Sequence, residues 1–376
     1  MKYYLIAGEA SGDLHGSNLI KELKKLDPAA DFRSWGGDKM QQAGSVLVKH
    51  IKDLAFMGFS EVIKNLPTIF KNIKICKQDV LQYNPDVLIL IDYPGFNLRI
   101  AKWAKQQGLK VIFYISPQIW AWKESRVHQI KKNVDKMLVI LPFEKDFYKK
   151  HNYEVEYVGH PLVQVVEDFQ SETSKPKSQT SNIIALLPGS RKQELNIKLP
   201  IMLEVAQHFP EYQFVIAKAP GVSEEFYNEI RHQTSHNVNN VTSVSGGTYQ
   251  LLSDAKAALV TSGTATLETA LFGVPQIVCY KGNSLSYQLA KRLIKVKYIS
   301  LVNLIMNKEV VKELIQHDLT VENLKAELNS ILNDTNRKEQ IKKDYSQLKH
   351  ILSDSGNASL NAAQIILNEI CFSQKL

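Results

Sequence analysis

Short, continuous runs of branched apolar residues recur along the chain at 3–7, 87–91, 111–115 and 137–141, and again at 183–187, 214–217, 257–261 and 276–280. They do not alternate polar with apolar, which is how strands covered on both faces of a parallel sheet read. Helical segments lie between them, so each series specifies a doubly wound α/β unit. A chain of 376 residues also exceeds what one core usually organises, which fits two units. No apolar run reaches the roughly 18–20 residues that span a bilayer. Met1-Lys2 passes straight into the first strand-like run, so no leader is expected. Cys76, Cys279 and Cys371 are widely separated and lack metal-ligand spacing. Such usage fits a reducing compartment and predicts neither a metal site nor a cofactor.

Between the two series, residues 167–182 are rich in Ser, Thr, Lys and Gln and contain Pro176, the composition of a linker. The expected division is a first domain at 1–166, that linker, a second domain at 183–345, and a terminal helical segment at 346–376. The tail carries apolar faces at Leu324, Leu328, Ile331 and Leu332, and at Leu360, Ile365, Ile366 and Ile370. The terminal helix must therefore pack on the first domain or on a partner, and a homodimer is one arrangement that serves. The net charge of +8 is uneven: residues 1–160 hold 24 Lys and Arg against 17 Asp and Glu, and the remainder hold 22 against 21. An anionic partner follows, whether phosphorylated substrate or membrane face. The aromatic-interleaved motifs of nucleic-acid modules are missing, so nucleic acid is not expected.

Parallel sheets place ligands beyond the carboxyl ends of their strands, which directs attention to the residues just after each run. The run at 257–261 leads into Ser262-Gly263-Thr264-Ala265-Thr266-Leu267-Glu268, a tight turn opening a helix. Free N–H groups in that first turn suit a phosphate, Thr264 can cap the helix, and Glu268 offers carboxylate oxygens to the paired hydroxyls of a ribose. An ordinary capped helix accounts for the same residues. After 183–187 comes Pro188-Gly189-Ser190-Arg191, where small residues open the backbone and Arg191 supplies bidentate donors for a diphosphate leaving group. After 87–91, Asp92 is either a helix cap or a general base whose pKa is raised by partial burial. After the first run, Gly8, Glu9, Ser11, Gly12, Asp13 and His15 form a glycine-containing wall, with a helix expected to begin near His15. His160, in Gly159-His160-Pro161, is a second histidine at a strand end, and for both imidazoles a structural hydrogen bond and a substrate contact are equally consistent.

One stripe points to a membrane. Phe56, Met57 and Phe59, with Leu66, Ile69 and Phe70 on the helical stretch that follows, form an apolar face flanked by Lys52, Lys64, Lys71 and Lys74. That pattern suits a surface anchor on anionic lipid, although an amphipathic helix more commonly turns such a stripe into core.

Taken in order, Gly8-Glu9-Ala10-Ser11-Gly12-Asp13, Ile91-Asp92-Tyr93-Pro94-Gly95-Phe96-Asn97, Ser116-Pro117-Gln118-Ile119-Trp120-Ala121-Trp122, Leu141-Pro142-Phe143-Glu144, Gly159-His160-Pro161, Leu187-Pro188-Gly189-Ser190-Arg191 and the Ser262–Glu268 segment resemble the lipid-A-disaccharide synthase family. The resemblance runs from residue 5 to about residue 305. It implies a GT-B glycosyltransferase, with two Rossmann-like domains facing a cleft and inversion at the anomeric carbon. The family joins UDP-2,3-diacylglucosamine to 2,3-diacylglucosamine 1-phosphate, releasing UDP and forming a β-1,6-linked disaccharide. With no Asp-x-Asp motif in the chain, the expectation is a metal-independent transferase, cytoplasmic and peripheral at the inner face of the inner membrane. By motif position, the resemblance makes Asp92 the base, assigns the diphosphate to Arg191 and the Ser262-Gly263-Thr264 turn, gives the ribose to Glu268, and puts Gly189, Ser190, Thr266 and Asn303 on the donor. Rivals within the fold are transferases or 2-epimerases acting on UDP-N-acetylglucosamine. A regulator that binds a nucleotide sugar without turnover is the rival outside enzymes.

Overall fold

The computed structural model describes residues 1–54, 66–173, 181–233, 239–282, 287 and 296–373. Two compact units emerge, Met1–Pro161 with Leu352–Leu376, and Leu162–Ile351.

The first unit is built on β1 (Lys2–Ala7), β2 (Asp31–Gly36), β3 (Val46–His50), β4 (Val87–Ile91), β5 (Val111–Tyr114), β6 (Lys136–Val139) and β7 (Glu156–Tyr157). Its strands are parallel and ordered β3-β2-β1-β4-β5-β6-β7. Every residue of β4 and β5 is buried, as continuous runs require. One helical layer, including Leu66–Tyr83, Pro94–Gln106 and Val127–Asn133, closes one side through Cys76, Val80, Ile100, Ala104 and Ile130. The terminal helix Ala358–Ser373 packs against Ala10–Leu26. Ala362 and Ala363 are fully buried, and side chains this small allow close approach of the two helices. Glu369 pairs with Lys110 at 3.0 Å and Lys136 at 3.7 Å, and Asn361 Nδ2 donates to the Val158 carbonyl at 3.1 Å. These contacts fasten the C-terminal segment to the N-terminal sheet.

The second unit carries β8 (Ile183–Leu187), β9 (Gln213–Lys218), β10 (Val241–Ser245), β11 (Ala255–Thr261), β12 (Gln276–Tyr280) and β13 (Lys312–Ile315), all parallel in the order β10-β9-β8-β11-β12-β13. Both sheets therefore reverse strand order once, between β1 and β4 and between β8 and β11. The expected linker is shorter than its composition implies. The helix Pro161–Glu172 runs into it, and Phe169 packs edge-on against Tyr249 and Phe272 at 5.6 and 5.9 Å, making residues 167–172 part of the second unit. The other expected boundary, at 345/346, falls inside the helix Thr335–Ser353, whose last turn crosses into the first unit.

Ile366 is fully buried on the terminal helix. Ile366→Ala should cost about 2–5 kcal/mol, read as a lower urea midpoint for the first unit's unfolding transition.

Candidate active site

The reversal between β1 and β4 fixes the first group of residues. Strand register pairs Ala7 with Ile91, so Gly8 and Asp92 leave neighbouring strands at the same edge. Asp92 and Tyr93 both adopt left-handed backbone, with φ of 44° and 50°, a conformation that costs energy in side-chain-bearing residues. Asn97 offsets that strain. It is fully buried, and its Nδ2 lies within hydrogen-bond distance of the carbonyls of Ile6, Ile91 and Asp92 at 3.3, 3.2 and 2.7 Å. The Tyr93 ring lies on Gly8: a Cβ there would come within 2.3 Å of the ring, so only glycine fits. Tyr93 also stacks on Phe96 at 5.6 Å and donates through its hydroxyl to the Leu54 carbonyl at 3.3 Å.

Asp92 is not a helix cap. The N-cap of Pro94–Gln106 is Tyr93, with no side-chain capping bond. Burial raises the Asp92 carboxyl to about 7, the nearby Glu9 carboxylate adds to the rise, and the Tyr93 N–H opposes it. A carboxylate tuned to neutrality and held at a strand end has the character of a general base.

Other residues of the expected wall have different roles in this structure. Asp13 is buried and accepts from the N–H groups of Gly37, Lys39 and Met40 at 2.7, 3.2 and 3.0 Å, capping the helix Asp38–Gln42 from outside it. Its oxygens are spent on protein. The helix begins at Ala10 with Glu9 as N-cap, five residues before His15, so Ser11, Gly12 and Asp13 are helical instead of loop. Gly12 permits close contact with β1, since a Cβ there would lie 3.1 Å from the Ala7 Cβ. His15 and His160 are both buried. Burial pushes His15 down to about 4, while burial and then the neighbouring His15 push His160 down to about 3. Both are neutral at physiological pH. Glu144, Ser116 and Tyr148, to which the sequence assigns no role, brace the adjacent loops. Buried Glu144 accepts from Leu141 N at 3.0 Å and Trp120 Nε1 at 3.2 Å, and Ser116 Oγ and Tyr148 Oη share a hydrogen bond of 2.7 Å.

In the second unit the reversal between β8 and β11 does the same work. Register pairs Leu187 with Val260, bringing Gly189, Ser190 and Arg191 to the edge that also carries Ser262, Gly263 and Thr264. Arg191 is the N-cap of Lys192–Ala206, and its Nη1 lies 3.4 Å from Glu194 Oε1. Gly263, with φ of 145°, is the N-cap of Thr264–Leu271, and Thr264 is the first helical residue. The expected Thr264 cap is therefore replaced by glycine backbone geometry. Thr266 is fully buried, with Oγ1 donating to the Gly263 carbonyl at 2.8 Å, which shapes the turn and takes the hydroxyl away from a ligand. Ser262 Oγ donates to the Ile299 carbonyl at 2.9 Å. Glu268 accepts from the Tyr249 hydroxyl at 2.8 Å through Oε1, and burial raises its pKa against the pull of that hydrogen bond.

Asn303 does not present its side chain to a donor. It is fully buried, and all of its amide capacity is used: Nδ2 donates to the Val311 carbonyl and to Glu313, while Oδ1 accepts from Val310 N and Val311 N, all at 2.8–3.0 Å. Its part is to tie the helix Leu301–Met306 to β13.

The apolar stripe divides. Phe56, Met57 and Phe59 lie outside the described residues. On the helix Leu66–Tyr83, Ile69 packs on the core, while Leu66 and Phe70 are 36 % and 58 % exposed beside exposed Lys71 and Lys74. Among the described residues no helix is long and apolar enough to cross a membrane.

A family model for lipid-A-disaccharide synthetase matches residues 3–370. The chain belongs to the lipid-A-disaccharide synthase family. The Syntrophus aciditrophicus lipid-A-disaccharide synthase is 40 % identical over 370 residues, covering 96 % of both chains. Two solved structures share the fold at 14 % identity. A UDP-GlcNAc 2-epimerase from Neisseria meningitidis, bound to UDP-GlcNAc, aligns with a TM-score of 0.66 over 99 % of this chain and all of its own. The glycosyltransferase of kitacinnamycin aligns at 0.65 over 98 % of each. An epimerase and a transferase superpose equally well, so the GT-B architecture alone does not choose the reaction. Family membership does, and it marks a glycosyltransferase of lipid A biosynthesis.

Because Asp92 holds its proton more tightly in the native state than in the unfolded chain, stability should fall as pH rises from the ordinary value of 3.8 to about 7, then level off. Asp92→Asn should thus be more stable than the parent at pH 8, by of order 1–3 kcal/mol, with the gain vanishing near pH 4 in chemical denaturation.

Proposed function

We propose that this chain is the inverting transferase that condenses UDP-2,3-diacylglucosamine with 2,3-diacylglucosamine 1-phosphate, giving the β-1,6-linked disaccharide 1-phosphate and UDP. The observation that carries this is the family match across nearly the whole chain, joined to candidate residues that cluster where each sheet reverses its strand order.

In the mechanism, the Asp92 carboxylate takes the proton from the acceptor's 6-hydroxyl as that oxygen forms its bond to the donor's anomeric carbon. Attack comes from the face opposite the UDP, so configuration inverts while the bond from carbon to diphosphate oxygen breaks. The departing diphosphate gathers negative charge. Arg191 meets it with a fixed cation, and the N–H groups of Thr264 and Ala265, which open the helix Thr264–Leu271 ahead of the Thr266 N–H that already donates to the Gly263 carbonyl, add oriented donors. Gly189, Ser190, Ser262 and Gly263 keep the backbone open around it. Glu268 uses one oxygen to hold Tyr249 and keeps the other for the ribose hydroxyls. Asp92 then releases its proton to solvent, and the carboxylate is restored. Gly8 and Glu9 line the acceptor side through their place beside Asp92.

The acylated substrates belong to a bilayer, and exposed Leu66 and Phe70 with Lys71 and Lys74 support peripheral attachment at the inner face of the inner membrane. Each large apolar side chain contributes about 1.5–3 kcal/mol when fully buried, and each lysine about 1 kcal/mol on anionic lipid. A small patch is enough for reversible binding.

Asp92→Asn should lower turnover roughly 10²–10⁴-fold in a disaccharide assay by mass spectrometry, with UDP affinity unchanged by calorimetry. The parent's kcat/KM should rise with pH through about 7, because the ionised carboxylate is the active form. Normal turnover in that variant removes Asp92 from the reaction. Arg191→Ala should weaken UDP about tenfold or more, and an unchanged affinity contradicts its place on the diphosphate. Replacing Leu66 and Phe70 together by Ser should move the protein from the membrane fraction to the supernatant, and no shift would count against the anchor.

A further inference from the structure

Lys198 is a lysine with 2 % of its side chain exposed, an arrangement that needs a reason because an unpaired buried ammonium is strongly unfavourable. It lies on the helix Lys192–Ala206, one turn beyond Glu194. Its Nζ is 3.9 Å from Glu194 Oε2, and the other oxygen of the same carboxylate is 3.4 Å from the Arg191 guanidinium. One carboxylate thus stands between an inner cation and an outer one that is 52 % exposed. Gly189 closes the third side, since a Cβ there would fall 2.3 Å from Glu194 Oε2. Its φ of 119° also favours glycine. The loop can therefore follow this path only if residue 189 has no side chain, and Glu194 is wedged against its backbone.

The charges conflict in a useful way. A carboxylate 3.4 Å from Arg191 orients the guanidinium, yet the same charge repels a diphosphate arriving at Arg191. A neutralising cation on the far side removes that repulsion without blocking the loop, and in a poorly solvated position its effect is screened least. Burial pulls the Lys198 pKa down, and Glu194 is the foremost influence holding it up. For packing alone, a methionine or leucine would cost less here.

We propose that Lys198 is a positioning residue for the nucleoside diphosphate, acting through Glu194: it cancels the carboxylate's charge, so that Glu194 aims Arg191 without repelling the ligand. The inference rests on the assignment of Arg191 to the diphosphate. The bond-making step is the same in this proposal, since Lys198 is buried behind Glu194 and acts through it.

The test compares UDP and uridine binding to the full-length protein by calorimetry in the parent, Lys198→Met, Glu194→Gln and the double variant, with circular dichroism and thermal melts alongside. Lys198→Met should weaken UDP about tenfold or more, because it leaves the carboxylate uncompensated, and should leave uridine, which carries no phosphate, unchanged. Adding Glu194→Gln to Lys198→Met should bring UDP affinity back to within about threefold of the parent, since the amide keeps the carboxylate's shape and drops its charge. A purely structural lysine would show no such recovery. If Lys198→Met fails to fold, the double variant, which has no buried charge to compensate, is compared with Glu194→Gln: equal UDP affinities support the proposal, and a deficit in the double variant overturns it. Unchanged UDP affinity in a folded Lys198→Met also overturns it. Loss of UDP binding in Arg191→Ala with none in Lys198→Met would leave the donor assignment standing and defeat this inference alone, whereas no loss in Arg191→Ala would defeat the donor assignment itself.

Discussion

The position of the candidate base and diphosphate groups in this chain follows from where each parallel sheet reverses its strand order. In a doubly wound sheet the connections from the two central strands leave toward opposite faces, so the loops beyond those strands diverge and backbone N–H groups and side chains at their tips are left accessible. The reversal between β1 and β4 brings Gly8 and Asp92 to one sheet edge, and the reversal between β8 and β11 brings Arg191 and Gly263 to one edge of the other. Four short segments, far apart in sequence, become two compact groups for one topological reason. No single motif among them would be persuasive in isolation.

The first group holds its form against local strain. Left-handed backbone at Asp92 and Tyr93, and at Ile115 beyond the next strand, would relax if the surroundings allowed it. They do not. Asn97 ties three carbonyls together beneath Asp92, the Tyr93 ring presses on Gly8, and Ile115 N donates to the Leu138 carbonyl at 3.0 Å. Strain of this kind persists where the surroundings over-determine the backbone, and here it keeps a carboxylate at the mouth of the sheet instead of in a helix cap.

Much of the fold was legible because central strands announce themselves. Val-Leu-Ile-Leu-Ile at 87–91 and Ile-Ile-Ala-Leu-Leu at 183–187 are buried on both faces, and burial leaves no freedom in composition. The strands nearer the margins escaped notice: β2 reads Asp-Phe-Arg-Ser-Trp-Gly, β10 reads Val-Thr-Ser-Val-Ser, and β13 reads Lys-Glu-Leu-Ile. A partly covered strand can carry charge, so its sequence resembles a loop. Phe169 explains the misplaced linker start in the same terms, because one aromatic among polar residues is enough to dock a helix. At the sites, spacing after each strand identified Asp92, Arg191 and Glu268 as candidates. It could not reveal that Thr266 and Asn303 are consumed internally, since hydrogen-bond partners are supplied by tertiary structure. Lys198 was invisible for a related reason: a lysine three or four residues from a glutamate on a helix is usually a solvated pair, and only packing shows this one to be buried.

Availability, more than presence, separates a reactive carboxylate from a structural one. Asp13 accepts three backbone N–H groups, and Glu313 accepts from Ile299 N, Ser300 N, Ser300 Oγ and Asn303 Nδ2. Such oxygens are already saturated, and taking a proton from a substrate would mean surrendering hydrogen bonds that hold the fold together. Glu144 is buried and raised to about 8, close to the value for Asp92, yet it too is committed, to Leu141 and Trp120. A raised pKa alone therefore does not separate a carboxylate free to take a proton from one already committed to the fold. Asp92 combines the raised pKa with a single opposing N–H, from Tyr93, and a place where the strand order turns. Its proton affinity comes from burial and from Glu9, neither of which occupies a lone pair. The carboxylate is thereby kept basic and unspent, and that pairing of properties is what base catalysis at neutral pH requires.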